Sequence, residues 1–322
     1  MTKNLGIVYE TRWSGIPVAV ALKRKYIPQA ITSEQLKEVD ILKKLRHHHV
    51  VRVVASYTQS KIFGLLLWPV AVCDLSVLLD DVDFMTSYVW SQRTRSSSII
   101  AREGLASRWT ALDLDRQTLD IWIPPAQRLY KCFGCLVNGI AYLHSQNIRH
   151  KDLKPSNVLI TLDGLRLTDF DRSTDFSLLE TSQTENGERG TPKYFAPEVF
   201  DFQRYGRSAD MFSLGCIFME ITISYSMSSS LENLRGLRSA GDRSFQANLD
   251  RKTDWFALKK ARSAREQALL HQISQLLDPM SHKRPTALEL QSALAKIELL
   301  PQERHYEPLP FFGRCCTDVT GG

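Results

Sequence analysis

Three side chains able to do polar chemistry sit within six residues of one another. Asp152, Lys154 and Asn157 lie in the stretch Ile148-Arg149-His150-Lys151-Asp152-Leu153-Lys154-Pro155-Ser156-Asn157-Val158-Leu159-Ile160. A carboxylate, a cation and an amide oxygen at that spacing are the groups phosphoryl transfer uses. The carboxylate can orient an attacking hydroxyl and take its proton, the cation can offset charge on the moving group, and the amide oxygen can hold Mg2+. Taken alone, the same cluster before a strand also reads as a capped turn. Downstream, Leu167-Thr168-Asp169-Phe170-Asp171 places Asp169 after a short apolar strand. Its carboxylate is a hard oxygen donor of the kind Mg2+ prefers, or else a solvated turn aspartate.

These groups need elements to position them. Ile16 to Lys23 is β-branched and apolar and predicts a strand. Thr32 or Ser33 can cap a helix running to about Arg46, with Leu36, Val39, Leu42 and Leu45 on one face. Val50 to Tyr57 and Ile62 to Leu67 predict two further strands, ended by Trp68-Pro69 because proline cannot donate to a ladder. Gln127 to Ser145 predicts a helix with Leu129, Phe133, Leu136, Ile140 and Leu143 apolar, and from Asp210 onward the pattern is mostly helical. Two polar stretches interrupt this order and predict surface insertions. One lies near 80–125, with the basic serine-rich run from Ser91 to Ser98, and one near 224–254. No internal repeat is visible.

The 322 residues are 43% apolar and 24% charged, with net charge +6, so a substantial core can form. The mild basic excess favours acidic partners, including phosphate groups, without selecting one. No zinc-finger, basic-zipper or aromatic RNA-binding pattern is present, so no nucleic-acid partner is expected. The longest apolar run, Ile62 to Val72, is too short to span a bilayer. The six cysteines make no disulfide framework, and without a secretory signal an intracellular setting, cytoplasm or nucleus, is expected. Cys132 and Cys135 form a C-x-x-C pair with no second pair in view, which reads as two small apolar positions on a buried helix.

The order of motifs resembles the eukaryotic-type protein kinase domain, and within it the serine/threonine kinases. His150-Lys151-Asp152 through Asn157 resembles the catalytic loop, Asp169-Phe170-Asp171 the D-F-G motif, Ala196-Pro197-Glu198 the A-P-E motif, and Val20-Ala21-Leu22-Lys23 the V-A-I-K strand. Gly190 to Phe195, Asp210 to Gly215 and Lys283-Arg284-Pro285 are similar to the family's substrate-facing loop, buried-aspartate helix and late arginine motif. The resemblance runs from about Leu5 to Ile297. It implies an α+β, bilobal fold forming a single domain over 1–322. The parts would be a small β-rich lobe to about residue 67, a hinge at 68–71, a larger helical lobe over 72–297 and a tail at 298–322.

The resemblance also implies roles. Asp152 would be the base, Lys154 would steady the γ-phosphate, and Lys23, paired with Glu38, would hold the α- and β-phosphates of ATP. Glu34 and Asp40 compete with Glu38 for that pairing. Asn157 and Asp169 would hold Mg2+. Val8, Ala21, Leu75 and Leu159 would surround adenine, Trp68 to Ala71, Val70 among them, would line the hinge, Leu67 would be the gatekeeper, and Asp74 would reach the ribose. Leu42, Val53, His150 and Phe170 would stack between the lobes, and Arg284 would pair with Glu198. Lys154 two residues after Asp152, with Thr191 touching both, implies serine or threonine acceptors on protein substrates.

The chain departs from the family at three points. Only Gly6-Ile7-Val8-Tyr9-Glu10 matches the glycine-rich loop, with Met1 and Lys3 where its first glycines would be, and the family's first strand reads as absent. Asp171 replaces the D-F-G glycine, where a stiffer turn and a disturbed metal site are expected. Lys151 replaces an arginine, trading a planar fork for a point charge and weakening control through Thr181, Ser182 or Thr184. These departures set a second reading beside the active enzyme: a pseudokinase that binds or scaffolds with weak or no transfer. A small-molecule kinase is disfavoured by the A-P-E and Thr191 regions.

Overall fold

Alternation along Ala19–Tyr26 decides what the first sheet presents to the site. Successive strand residues face opposite sides, so Ala21, Lys23 and Lys25 share one face while Val20 and Leu22 pack on the other with Leu66. In the computed structural model, residues 7–12, 19–27, 33–92, 104–114, 123–177, 191–226, 229–238, 241–300 and 310–317 are described. The first sheet has the antiparallel order β1-β2-β4-β3. It is built from β1 (Ile7–Arg12), β2 (Ala19–Tyr26), β3 (Arg52–Gln59) and β4 (Ile62–Trp68). Helix α1 (Ser33–Lys44) crosses between β2 and β3. Val39, Leu42 and Leu45 are buried beneath it, whereas Leu36 of the predicted apolar face is exposed.

Trp68-Pro69, a cis peptide, ends β4 and leads to the short strand β5 (Cys73–Asp74). Beyond β5 the chain is mostly helical. It comprises α2 (Leu75–Gln92), α3 (Leu105–Ala111), α4 (Ile123–Ser145), α5 (Pro197–Phe200), α6 (Arg207–Ser224), α7 (Leu231–Gly236), α8 (Lys252–Ala257), α9 (Ala264–Leu276), α10 (Ala287–Glu298) and α11 (Arg314–Thr317). Four short strands carry the loops between α4 and α5: β6 (Ile148–Arg149), β7 (Val158–Thr161), β8 (Gly164–Leu167) and β9 (Thr174–Asp175). β5, β7 and β8 form one small sheet, and β6 pairs with β9 in another.

The centre of the larger lobe is α4 against α6. Leu129, Phe133, Leu136, Ile140 and Leu143, the predicted apolar face of α4, are fully buried, and α6 is buried on nearly every side. Phe133 meets Phe218 edge-on at 4.7 Å. An all-round apolar helix belongs in a core, which makes α6 a rigid base for polar groups at its start.

Both polar interruptions contain packed structure among the described residues. In the first, α2 continues to Gln92 because Leu78, Leu79 and Val82 bury a helical face, and buried Asp81 takes both Nε and Nη2 of Arg108 at 2.7 Å. Arg93 to Ser98 lie outside the described residues. In the second, Phe245 is fully buried and meets the fully buried Trp255, just past its end, edge-on at 5.4 Å. Ser230 and Asn233 form a capping box on α7. Polar composition there reflects the outer face of packed helices.

Glu198 and Arg284 clamp the far end of this lobe. The guanidinium forks onto both carboxylate oxygens at 2.7 and 2.8 Å, both groups are buried, and Arg284 also lies 5.0 Å over the Phe212 ring. Removing one member strands the other charge in a dry site. Arg284→Ala is expected to lower unfolding free energy by about 3–5 kcal/mol. Urea denaturation of the two proteins checks this, and a change below roughly 1 kcal/mol, the scale of an exposed pair, contradicts it.

Candidate active site

The loop between β6 and β7 is pinned from below by Asp210 at the start of α6. Its buried carboxylate accepts the backbone N–H of His150 and of Lys151, each at 2.9 Å, and the Nε2–H of His144 at 3.0 Å. Burial pushes the Asp210 carboxyl up, but the His144 hydrogen bond and the amide donors outweigh it and hold it below the ordinary range. Lys151 is thereby kept at a φ of 66°, a left-handed conformation uncommon outside glycine. The Lys151 ammonium reaches Thr174 Oγ1 at 3.4 Å and lies 5.5 Å from the Tyr205 ring.

The turn so held presents Asp152, Lys154 and Asn157 together. Lys154 Nζ donates to Asp152 Oδ2 at 2.7 Å and to Thr191 Oγ1 at 2.8 Å. Thr191 donates its backbone N–H and its hydroxyl to Asp152 Oδ1 at 2.7 and 3.0 Å. Asn157 Nδ2 donates to the Asp152 backbone oxygen at 2.8 Å and to Oδ2 at 3.3 Å. The amide nitrogen of Asn157 is thus committed inward, and its oxygen is the end suited to a hard cation.

Opposite this loop, Lys23 joins the two halves. Its Nζ lies 2.9 Å from Glu38 Oε1 on α1 and 2.9 Å from Asp169 Oδ1 after β8. Of the three acids considered for the partner of Lys23, Glu38 is buried against it and Asp40 is exposed, while the side chain of Glu34 lies outside the described ones. Burial would depress the Lys23 ammonium, yet Glu38, Asp169 and Asp171 together raise it above its ordinary value. Asp169 has φ 67° and ψ 64°. The left-handed turn of the D-F-G segment therefore falls on Asp169, and Asp171 is not among the residues of positive φ. The expectation that Asp171 would stiffen a glycine-requiring turn is thus corrected, because Phe170 to Arg172 form an ordinary single helical turn.

The charge of Asp171 is what matters instead. Its Oδ1 pairs with Lys25 Nζ and lies 3.8 Å from Lys23 Nζ, and Lys25 also contacts Glu38 Oε2 at 3.3 Å. Burial raises the Asp171 carboxyl, but the hydrogen bond with Glu38 and the two ammonium groups overcome this and hold it low. Glu38 goes the other way: burial, followed by the neighbouring Asp171, pushes it up to about 7 in spite of Lys23 and Lys25. Sequence reasoning missed Lys25. The available signal was its position two residues after Lys23, on the same strand face.

The other expected residues line the space between the lobes. Ala21 and Leu67 are buried and directly paired across β2 and β4, and Leu159 opposes Asp74 across β5 and β7. Val8 pairs with Lys23 through the backbone, its side chain lying outside the described ones. Val70 and Trp68 are partly buried, with the Arg52 guanidinium 5.9 Å from the Trp68 ring. Asp74 also has a structural part. Its Oδ1 accepts from Ser76 Oγ and from the Val77 backbone N–H, so one oxygen caps α2. Leu42, His150 and Phe170 are fully buried with Val53 packed against the same core, and the His150 and Phe170 rings are 5.0 Å apart. Met1, Lys3 and Gly6 of the glycine-poor loop, and Thr181, Ser182 and Thr184, lie outside the described residues.

A bilobal architecture with its polar loops facing one another across a hinge is the protein-kinase arrangement, and comparison agrees. The family model described as the protein kinase domain matches residues 113–294. The chain belongs to the protein kinase domain family. It is 38% identical over 113 residues to the mitosis inhibitor protein kinase SWE1 of Candida albicans, a match covering 35% of this chain and 9% of that protein. It is 28% identical over 229 residues to the serine/threonine-protein kinase mos of Gallus gallus, covering 68% of this chain and 59% of that one. It is 28% identical over 221 residues to human mitogen-activated protein kinase kinase kinase 5, covering 67% of this chain and 13% of that protein. The chain thus spans less than two thirds of the length of each of these relatives.

The raised Glu38 carboxyl sets a pH dependence. Between its ordinary value of 4.5 and about 7 the folded protein holds a proton that the unfolded chain has released. Stability therefore falls as pH rises through that window. Asp171, held low, acts only at more acidic pH, where its protonation destabilises the fold. Burial holds His47 low, to about 4, so it adds stability as pH rises over the same window, and the test is the difference between the two proteins. The urea midpoint of the natural protein relative to that of Glu38→Gln is expected to fall from pH 5 to pH 7, and a constant difference would assign the proton elsewhere.

Proposed function

We propose that this chain is an ATP-dependent serine/threonine protein kinase, transferring the γ-phosphate of ATP to hydroxyls of protein substrates. The observation that carries the reading is the hydrogen-bonded cluster of Asp152, Lys154 and Thr191 facing a Lys23 braced by both Glu38 and Asp169. Asp152 would orient the acceptor hydroxyl and take its proton, Lys154 would steady the γ-phosphate, and Lys23 would position the α- and β-phosphates. Asn157 and Asp169 offer the hard oxygen donors that suit Mg2+, which when bound supplies charge neutralisation at the phosphates. Ala21, Leu67, Val70 and Leu159 would enclose adenine along the hinge at 68–71, with Val8 covering it. The whole of 1–322 is read as one domain. Thr191 beside Lys154, and the serine/threonine-kinase names of the relatives, support serine and threonine as acceptors.

A pseudokinase is the second reading, favoured by one feature: the extra carboxylate of Asp171, which together with Lys25 adds charges to the ion-pair site. Transfer of labelled γ-phosphate from Mg·ATP to a generic protein substrate separates the two. The natural protein is expected to label serine or threonine, and Asp152→Asn to lower the rate on the order of 10²–10⁴-fold, the range for a positioned general base. A folded protein that binds Mg·ATP yet transfers no label, alongside a working control kinase, supports the pseudokinase and overturns the enzyme.

A further inference from the structure

A second cluster of ligating atoms shares no residue with the proposed phosphoryl-transfer site and borders β8 through His49. His49, in the loop between α1 and β3, Cys135 on α4, and Cys315 and Cys316 on α11 place one ligand atom each within 4.8 Å of all the others. Cys135 Sγ is 3.6 Å from Cys315 Sγ and 3.6 Å from Cys316 Sγ, and Cys316 Sγ is 3.3 Å from His49 Nε2. Four donors at bond lengths of about 2.3 Å for sulfur and 2.0–2.1 Å for nitrogen around a tetrahedral Zn2+ stand roughly 3.5–3.8 Å from one another. The two sulfur–sulfur separations of 3.6 Å fall in that range, the His49–Cys316 separation of 3.3 Å is slightly shorter, and the remaining pairs lie within 4.8 Å. They are far from the S–S bond length of about 2.05 Å in a disulfide, and all six cysteines of the chain are unbridged.

The surroundings favour a metal over a chance gathering of thiols. His49 is fully buried, and its Nδ1 lies 3.1 Å from the Leu165 carbonyl. Donation to that carbonyl fixes the tautomer that leaves Nε2 as a lone-pair donor aimed at the cysteines, the outer contact usual for a metal-bound histidine. Asn138 holds the third side, taking His47 Nε2 at 3.1 Å on its oxygen and donating to the Cys316 carbonyl at 3.3 Å.

The segment carrying Cys315 and Cys316 is independently seated. Phe311 is fully buried against Tyr130 and Phe133, its backbone N–H donates to Glu298 at 3.0 Å, and its carbonyl accepts from Gly134 N at 3.2 Å. A Cβ on Gly134 would come within 2.3 Å of that carbonyl oxygen, so glycine is what permits the approach. The expectation that the Cys132–Cys135 pair serves only as two small apolar positions holds for Cys132, whose thiol faces the Arg128 carbonyl at 3.4 Å. Cys135 is likewise buried on α4, and its thiol also meets the adjacent Cys315 and Cys316, a second pair that spacing alone does not reveal.

We propose that His49, Cys135, Cys315 and Cys316 form a closed, structural Zn2+ site that fastens α11 to α4 and to the loop following α1. Three thiolates and one imidazole fill a tetrahedral shell and leave no position for substrate. Zn2+ binding displaces the thiol protons to solvent and changes no oxidation state.

The test is metal analysis of the full chain purified under reducing conditions without chelator. About one zinc per chain is expected, retained in Cys132→Ser and reduced at least tenfold in the Cys315→Ser/Cys316→Ser double variant. Cobalt added to the natural protein, stripped of metal, should give the visible absorption and sulfur charge-transfer band of a tetrahedral thiolate site. This reads the ligands even if the double variant folds poorly. Absence of both zinc and the cobalt spectrum overturns the proposal, as does equal zinc in the double variant. A Cys135–Cys315 or Cys135–Cys316 disulfide found by mass spectrometry of chain isolated from reducing cells also overturns it.

Discussion

The polar loops of this protein depend on one buried carboxylate. Asp210 issues from the first turn of α6, a helix with almost no exposed surface, and accepts two consecutive backbone N–H groups and one imidazole. A charged group so deep in a lobe is tolerable only when its lone pairs are satisfied, and here the donors are the loop itself. The same contacts hold Lys151 in its left-handed conformation and so fix the direction in which Asp152 and Lys154 leave the chain. Rigidity from an apolar helix is passed to a polar turn through three hydrogen bonds.

The second charged assembly balances itself in a different way. Lys23 and Lys25 face Glu38, Asp169 and Asp171, three acids against two cations. The excess is relieved by Glu38, whose carboxyl burial moves toward neutrality. An aspartate in place of the D-F-G glycine is therefore accommodated by a lysine one strand-repeat beyond Lys23. The pair Asp171 and Lys25 ties β2 to the segment after β8, beside the tie made by Lys23 and Asp169, so two ammonium groups of one strand face join the lobes.

Much of this was legible in the sequence because the informative residues are close together in it. The kinase family and the bilobal fold follow from ordered local motifs, and α4 follows from an apolar period that its burial explains. Glu38 was singled out from Glu34 and Asp40 through the family resemblance and not by periodicity, since all three lie on one helix and the docking of α1 decides which faces Lys23. Asp74 sat at a position where a ribose contact and a helix cap make the same demand on a carboxylate. The compactness of 224–254 was hidden because Phe245 and Trp255 are isolated anchors in polar surroundings. The cysteine cluster was hidden for a simpler reason: its members come from residues 49, 135, 315 and 316, and no periodicity links them.

Phe311 has a bearing on where this domain ends. The family match stops at 294, yet the aromatic pocket between Tyr130 and Phe133 is completed by a ring well beyond it, with the Arg265 guanidinium stacked 4.5 Å from that ring. A buried phenylalanine covers about 150 Å² or more of apolar surface, the footprint of a small ligand. A version of the chain trimmed to the family boundary would carry that footprint as an open, greasy socket on α4. Its tendency to self-associate would then be a property of the cut, not of the kinase fold.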